Sequence, residues 1–498
     1  MKTKKLSYTH LVYILFAVFY LWLAAQIPYT HDDWDWGLEI GMQQWLTASV
    51  NSRYVGNFFE IIMTRSVFLK TVIMGGAFFL LPYLLSCIAA RQEKHTRPTL
   101  FLAANLLILT MSRLIWSETY GWVAGFANFG LSSVFMLLCI HQWLPLCESE
   151  YSPVKHRSSV NFFLLLISFA GQLFIENLSI VMAGLSLLAC VASYIRAKKI
   201  PTHYIFMAIG MIVGLTVMFS SSVYTSLFGS GEAVDGYRQL IVNGESSLMT
   251  KLYNLFVQAA RLATRAGEAN FILCMSVMAI LTYKLIEQSP KNAIHKILLG
   301  INLLFEVYFT VNFLLQTDYT PDKLLRSAFA ATVNALYFVA VPLEVLLIYK
   351  GNAAMQKRLI AIWFIGIALL APLVVTNEAG YRLIFSLIIM VSLFILFILQ
   401  DIISAFHQKR ITTVFLAAAI MPVIACTIVY SAIGHCNRLR LELMEMADFY
   451  DADEITLPTY PYENYLHAPD PIDQIRMGYF KEFYGIDSNV TVIIDTAE

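Results

Sequence analysis

The chain is a succession of long apolar runs separated by short polar breaks. A helix needs roughly 20 apolar residues to cross about 30 Å of hydrocarbon, and about thirteen runs approach that length. They are Leu11–Ile27, Val67–Ala89, Thr99–Trp116, Gly125–Leu146, Val160–Phe174, Leu178–Ile195, Tyr204–Val223, Ala269–Ile286, Ile297–Leu315, Ser327–Tyr349, Leu359–Thr376, Leu383–Gln400 and Ile411–Ile433. Only Glu176-Asn177 separates the fifth from the sixth, so those two also read as one broken pair. Between the runs the period changes. Leu38–Ala48, Tyr54–Met63 and Leu252–Thr264 repeat apolar residues at three and four spacing, the mark of amphipathic helices that lie at the membrane interface without crossing it. The pattern predicts an all-α polytopic membrane protein.

Composition removes the main rival classes. Of 498 residues 58% are hydrophobic and 14% charged, with mean hydropathy +0.64, too apolar for a water-soluble enzyme. Thirty-four basic residues balance 34 acidic ones, leaving no net positive field for a nucleic-acid partner. Lys2, Lys4 and Lys5 precede the first run, and every second loop repeats the sign: Arg91/Lys94/Arg97, Lys155/Arg157, Arg196/Lys198/Lys199, Lys291/Lys296, Lys350/Lys357/Arg358 and Lys409/Arg410. Cytoplasmic loops hold the basic excess, so the N-terminus is expected inside and the C-terminus outside the cytoplasmic membrane. The first run is long and lacks a small-residue cleavage site, and it reads as a retained helix. Two regions follow: a transmembrane region, 1–433, whose first outer loop is 28–66, and a small extracytoplasmic region, 434–498. Cys87, Cys139, Cys147, Cys190, Cys274, Cys426 and Cys436 have neither disulfide nor metal-ligand spacing, and no phosphate-binding or HExxH motif occurs.

Chemistry is expected on the outer loops, which carry the acids, aromatics and glycines. Thr30-His31-Asp32-Asp33-Trp34-Asp35-Trp36 sets three carboxylates among tryptophans where the bilayer ends. An aromatic belt with acids facing water gives the same string. Acids packed beside rings, however, lose solvation, and a raised pKa suits a general base. Arg53 and Asn57, in Asn51-Ser52-Arg53-Tyr54-Val55-Gly56-Asn57, precede an amphipathic helix and suit a phosphate, although Arg53 pairing with Asp35 or with headgroups explains them equally. Trp116-Ser117-Glu118-Thr119-Tyr120-Gly121-Trp122 followed by Gly125-Phe126-Ala127-Asn128 combines rings, an acid and an amide as a sugar site does, or simply anchors the interface. Glu176-Asn177 sets an acid near membrane depth, costly without a partner or a wet cavity. Glu306, Glu344 and Arg113 fall under the same rule, and Arg113 and Glu118 are near enough in sequence to neutralise one another. Arg382 closes the loop Asn377-Glu378-Ala379-Gly380-Tyr381-Arg382, placed to hold an anionic group or to snorkel toward lipid phosphate.

An acid pair after the first span, then interfacial helices, then about a dozen spans resembles the membrane glycosyltransferases of the GT-C superfamily. The strings Asp32-Asp33-Trp34, Asn51 to Asn57, Gly125 to Asn128 and Glu176-Asn177-Leu178-Ser179 are similar to a mostly uncharacterised bacterial GT-C-like family, over about the first 180 residues. The resemblance implies transfer of a sugar from a polyprenyl-phosphate carrier to an envelope glycan, lipid or polymer acceptor on the outer face. It assigns the base to Asp32, with Asp33 as alternate, and the departing lipid phosphate suits Arg382 and Arg53. Asp35, Trp34, Asn57, Glu118, Trp122, Asn128, Glu176 and Asn177 are the expected substrate contacts. A divalent metal is left open, because no large later loop carries an obvious acidic motif. Two other classes compete: a transporter or flippase of lipid-linked sugars, and a polysaccharide polymerase. Clustering of acids at the outer end of the bundle favours the transferase, and midplane placement favours transport.

Overall fold

The computed structural model describes residues 8–91, 93–229, 239–241, 247–268, 270–288, 293–315, 324–377, 380–406, 408–450 and 452–495. The N-terminal lysines, Arg238 and Glu378 lie outside the described residues. The chain is a predominantly α-helical membrane protein, and its C-terminal end also carries a short pair of strands. Among the described residues nine helices are long and apolar enough to span a bilayer, or up to eleven if each of two sharply bent pairs is one span.

The first span is α1 (Tyr8–Gln26). Its outer loop folds into α2 (Asp33–Gly37), α3 (Glu39–Thr47) and α4 (Tyr54–Thr64), and the last two occupy ranges that the three-and-four periodicity predicts. Then come α5 (Val67–Ala90), α6 (Arg97–Leu109), α7 (Arg113–Glu118), α8 (Val123–Gly125), a π-helical turn (Phe126–Gly130) and α9 (Leu131–Trp143). The run expected as Thr99–Trp116 is split. Thr110 Oγ1 donates back to Leu106 O, and Ser112 Oγ accepts from Leu114 N as the cap of α7, so the hydroxyls end one helix and start another.

The next helices are α10 (Ser158–Gly171), α11 (Glu176–Ala197), α12 (Thr202–Met218) and α13 (Ser222–Gly229), the last two bent by 77°. The fifth and sixth expected runs are α10 and α11, and the break between them falls at Gln172–Ile175, earlier than Glu176-Asn177, which open α11. Amphipathic α14 (Leu248–Glu268) and α15 (Phe271–Glu287) are bent by 76° relative to one another, and α16 (Ala293–Leu315), α17 (Leu324–Ile348) and α18 (Ala353–Ala368) follow. With Pro372 in its first turn, the segment Ala371–Val375 continues only as 3₁₀. After it comes α19 (Phe385–Ile403). Every residue from Phe385 to Ile398 is buried, which makes α19 a central helix, since a helix apolar on all sides must be surrounded. By contrast, Leu11, Ile14, Leu15 and Val18 of α1 are exposed apolar residues, the composition that lipid accepts.

The last helix differs from its expected end at Ile433. α20 runs unbroken from Gln408 to Phe449, 42 residues, or roughly 63 Å at 1.5 Å per residue, twice the hydrocarbon thickness. No glycine in a left-handed turn stops it. Its far end carries a small unit: β1 (Glu454–Pro458) pairs in parallel with β2 (Thr491–Asp495), and α21 (Gln474–Tyr484) connects them. Met444 of α20, Ile455, Leu457 and Phe480 form its core together with Trp34 from the first loop. The C-terminal unit is thereby packed onto the loop that carries the aspartates.

Candidate active site

The first loop returns on itself at His31, a non-glycine residue held at φ 54°. Such a backbone is uncommon and clusters at functional sites. The turn sends two adjacent carboxylates into different surroundings. Asp33 is fully buried, its Oδ2 accepting from Thr30 N at 2.9 Å and its Oδ1 from Ala124 N at 2.8 Å. The second of these is a free amide in the first turn of α8, so Asp33 caps that turn from another loop. Asp32 stays partly open, its side chain 25% exposed. Trp122 Nε1 donates to its Oδ1 at 3.0 Å, and His31 Nδ1 lies 3.3 Å from the same oxygen.

The surrounding groups give the acids different pKa values. Burial and the Asp32 charge raise Asp33 well above the ordinary carboxylate range. Asp35 is raised by the same two causes, against the pull of Arg476, whose NH1 lies 2.6 Å from Asp35 Oδ1. For Asp32, burial pushes upward but is outweighed by the close His31 imidazole and by the neighbouring Arg476 and His467, so it sits below its usual value. The ring environment therefore acts as expected on Asp33 and Asp35 and not on Asp32, the one of the pair that solvent reaches.

A fourth acid joins them. Glu60, 1% exposed, has a buried Oε1 with no hydrogen-bond partner, and burial together with the charges of Asp32, Asp33 and Asp35 raises its pKa. One oxygen each from Asp32, Asp33 and Glu60 lie within 4.8 Å of one another. Oxygens gathered so closely disfavour three simultaneous charges and suit a hard divalent cation, and these three are the residues that would hold such an ion, which would screen their charge and that of an anionic ligand.

Two neighbouring groups flank this cluster. Arg382 N donates to Glu118 Oε2 at 3.0 Å, its NH1 lies 3.5 Å from the same oxygen, and its guanidinium sits 5.6 Å from the Trp122 ring that holds Asp32. Glu118 thus pairs with Arg382, not Arg113. On the other side Arg53 grips Glu176 bidentately, Nε to Oε1 at 3.0 Å and NH2 to Oε2 at 2.8 Å, while Tyr224 OH donates to Glu176 as well. Asp35 therefore has Arg476 as its cation and Arg53 has Glu176. Asn57 Nδ2 and Arg53 N both donate to Asn51 Oδ1, closing the turn before α4. Asn128, in the π turn, donates to Ala124 O and keeps a buried Oδ1 without a partner. A Cβ on Gly56 would collide with that Asn128 carboxamide, so a larger residue there requires the Asn128 side chain to shift.

The remaining expected contacts are placed elsewhere. Trp34 is fully buried, donating to Tyr29 O at 3.2 Å and meeting Phe480 edge-on, and Asn177 ties α11 to the end of α18 through Leu369 O at 2.9 Å. Both hold elements together. Conversely, Glu60, His467 and Arg476 are absent from the sequence-based set. His467 packs against Trp122 with ring centroids 4.2 Å apart and planes tilted by 31°, and lies 4.9 Å from His31. Arg53, Asn57, Glu60 and Thr64 form a polar stripe at four, three and four spacing along α4, a signal that points to Glu60. No comparable signal marks His467 or Arg476, which reach the site only through folding of the C-terminal unit. No family model, curated protein or solved structure matches the chain.

Proposed function

We propose that the protein is a GT-C-like glycosyltransferase that moves a sugar from a polyprenyl-phosphate carrier to an envelope glycan, lipid or polymer acceptor on the outer face of the cytoplasmic membrane. In this reading the bundle has thirteen spans: the nine long helices, the two bent pairs and the shorter apolar helices α6 and α10. The N-terminus is inside, and the region 434–498 caps the site from outside. The observation that carries the reading is the division of labour in the pair: Asp33, immobilised by backbone amides, anchors the loop, and Asp32, partly open and favoured in its ionised form, faces outward between Trp122, His31 and His467.

The chemistry follows from those positions. Asp32 takes the proton of an acceptor hydroxyl as its oxygen bonds to the anomeric carbon. The bond from that carbon to the carrier phosphate breaks, and the phosphate leaves with the electron pair. Arg382 is the cation best placed to stabilise it, since Arg53 already has both of its paired donors on Glu176. Trp122 links the two roles, donating to Asp32 while its ring lies under Arg382.

Transport of a lipid-linked sugar is the second reading, and the observation in its favour is Glu344, fully buried within α17 and joined to Asn302 of α16 at 3.0 Å. Membranes containing the protein and a radiolabelled polyprenyl-phosphate sugar separate the two. Transferase activity moves label from the lipid carrier to a second, covalently labelled product. Transport returns the carrier intact on the opposite face.

A further inference from the structure

The end of the bundle opposite the aspartates holds a second polar enclosure. α5 and α19 begin beside the first site and end at Ala90 and Ile403, and there a cavity of about 430 Å3 is lined by Arg91, Glu93, Glu148, Arg358, Gln400 and Asp401 among others. The volume lies in the range of small-ligand sites.

The charges on its walls do not cancel locally. Arg91 and Arg358 both donate to the same oxygen, Glu148 Oε1, Arg358 from 2.9 Å. Two guanidiniums share one carboxylate, leaving one positive charge in excess. The Arg358 side chain is only 7% exposed and its guanidinium lies 5.1 Å from the Phe397 ring; among the described residues its NH1 has the Met355 sulfur, at 3.7 Å, as its one hydrogen-bond partner, and its Nε is buried without one. A buried guanidinium with donors to spare is costly unless an anion completes it. The remaining charged lining residues are the mirror case. Asp401 and Glu287 share the single ammonium of Lys284, at 2.8 and 2.6 Å, leaving one negative charge in excess, and Glu93 adds a further carboxylate bound to Gln400.

We infer that this cavity binds a group carrying a phosphate and a primary amine a few bonds apart, the chemistry of phosphoethanolamine. Its phosphate faces Arg91 and Arg358, and its ammonium faces Asp401 and Glu93. An aminophospholipid headgroup and a water-soluble phosphoethanolamine ester both present this pair. The inference is independent of the transferase reading, because it uses none of the same residues.

The test titrates purified full-length protein, stripped of lipid in detergent, with short-chain phosphatidylethanolamine, short-chain phosphatidylglycerol and free O-phosphoethanolamine, with binding read by native mass spectrometry. Phosphatidylethanolamine is expected to bind at least about tenfold tighter than phosphatidylglycerol. Arg91→Gln, which leaves the more buried Arg358 to pair with Glu148, weakens it about tenfold or more, as loss of a charge-assisted hydrogen bond does. Asp401→Asn narrows the preference for the amine. Free O-phosphoethanolamine binding as tightly as the lipid assigns a soluble source, and much weaker binding assigns the lipid. The inference is overturned if neither phosphoethanolamine carrier binds saturably, if the two phospholipids bind equally, or if both variants bind as the wild type does.

Discussion

Arg476→Gln tests whether the C-terminal unit is part of the site or merely beside it. Arg476 NH1 and Asp35 Oδ1 are 2.6 Å apart, with side chains 23% and 10% exposed. Breaking a fully buried pair costs about 3–5 kcal/mol because a charge is stranded. Here the cost is smaller, since Arg476 keeps some solvent and Asp35, already raised by burial and by Asp32, escapes by taking up a proton. A value of about 2 kcal/mol follows, which corresponds to roughly 30-fold faster hydrogen exchange for amides that exchange by opening of the unit. The amides of α21, between Gln474 and Tyr484, are the place to read it. A second effect has a definite sign. Arg476 is one of the charges that hold Asp32 low, so its removal raises Asp32 and moves the acid limb of the transfer rate to higher pH. Arg438→Gln, which loses only a surface contact to Gln26, is the control and leaves both readouts in place. Unchanged exchange in α21 together with an unmoved acid limb refutes the reasoning.

Three other outcomes are expected. His467 is pushed down to about 4 by burial first and by His31 next, from an ordinary 6.5, so its contribution to stability is present above about 6.5 and is lost as pH falls toward 4; His467→Phe flattens the rise of hydrogen exchange in the C-terminal unit across that window, and an unaltered rise refutes it. Burial and three neighbouring acids raise Glu60 and so favour its neutral form, and Glu60→Gln is expected to keep transfer within about threefold with a chelator leaving the rate unchanged, whereas a large loss relieved by added Mn²⁺ makes the three oxygens a cation site. Arg382→Ala raises the donor KM or lowers kcat by about tenfold or more with the fold retained, read as donor-dependent transfer in membranes, and an unchanged donor dependence moves the phosphate elsewhere.

The helical membrane architecture was legible because hydrocarbon imposes it: long apolar runs, and amphipathic periods such as Tyr54–Met63, leave few alternatives. Boundaries were less so. The break after Leu109 depends on hydroxyls turned back on the backbone, and the extension of α20 past Ile433 depends on Met444 finding Trp34, neither of which a hydropathy pattern contains. The candidate site divides the same way. Asp32 and Asp33 stood out by their place after the first span, and the resemblance put Asp32 ahead of Asp33 without a physical reason; the amides of Thr30 and Ala124 on one, and Trp122 on the other, separate their roles. Arg476 lies 441 positions from Asp35 in the chain, and no local pattern joins them.

The most direct test of the central claim is the rate of sugar transfer by Asp32→Asn in membranes supplied with a polyprenyl-phosphate sugar, normalised to folded protein. The asparagine preserves the size of the side chain and an oxygen to accept from Trp122 Nε1, and removes only the ability to take a proton. A loss of about 100-fold or more is predicted at unchanged expression; transfer at the wild-type rate contradicts the account.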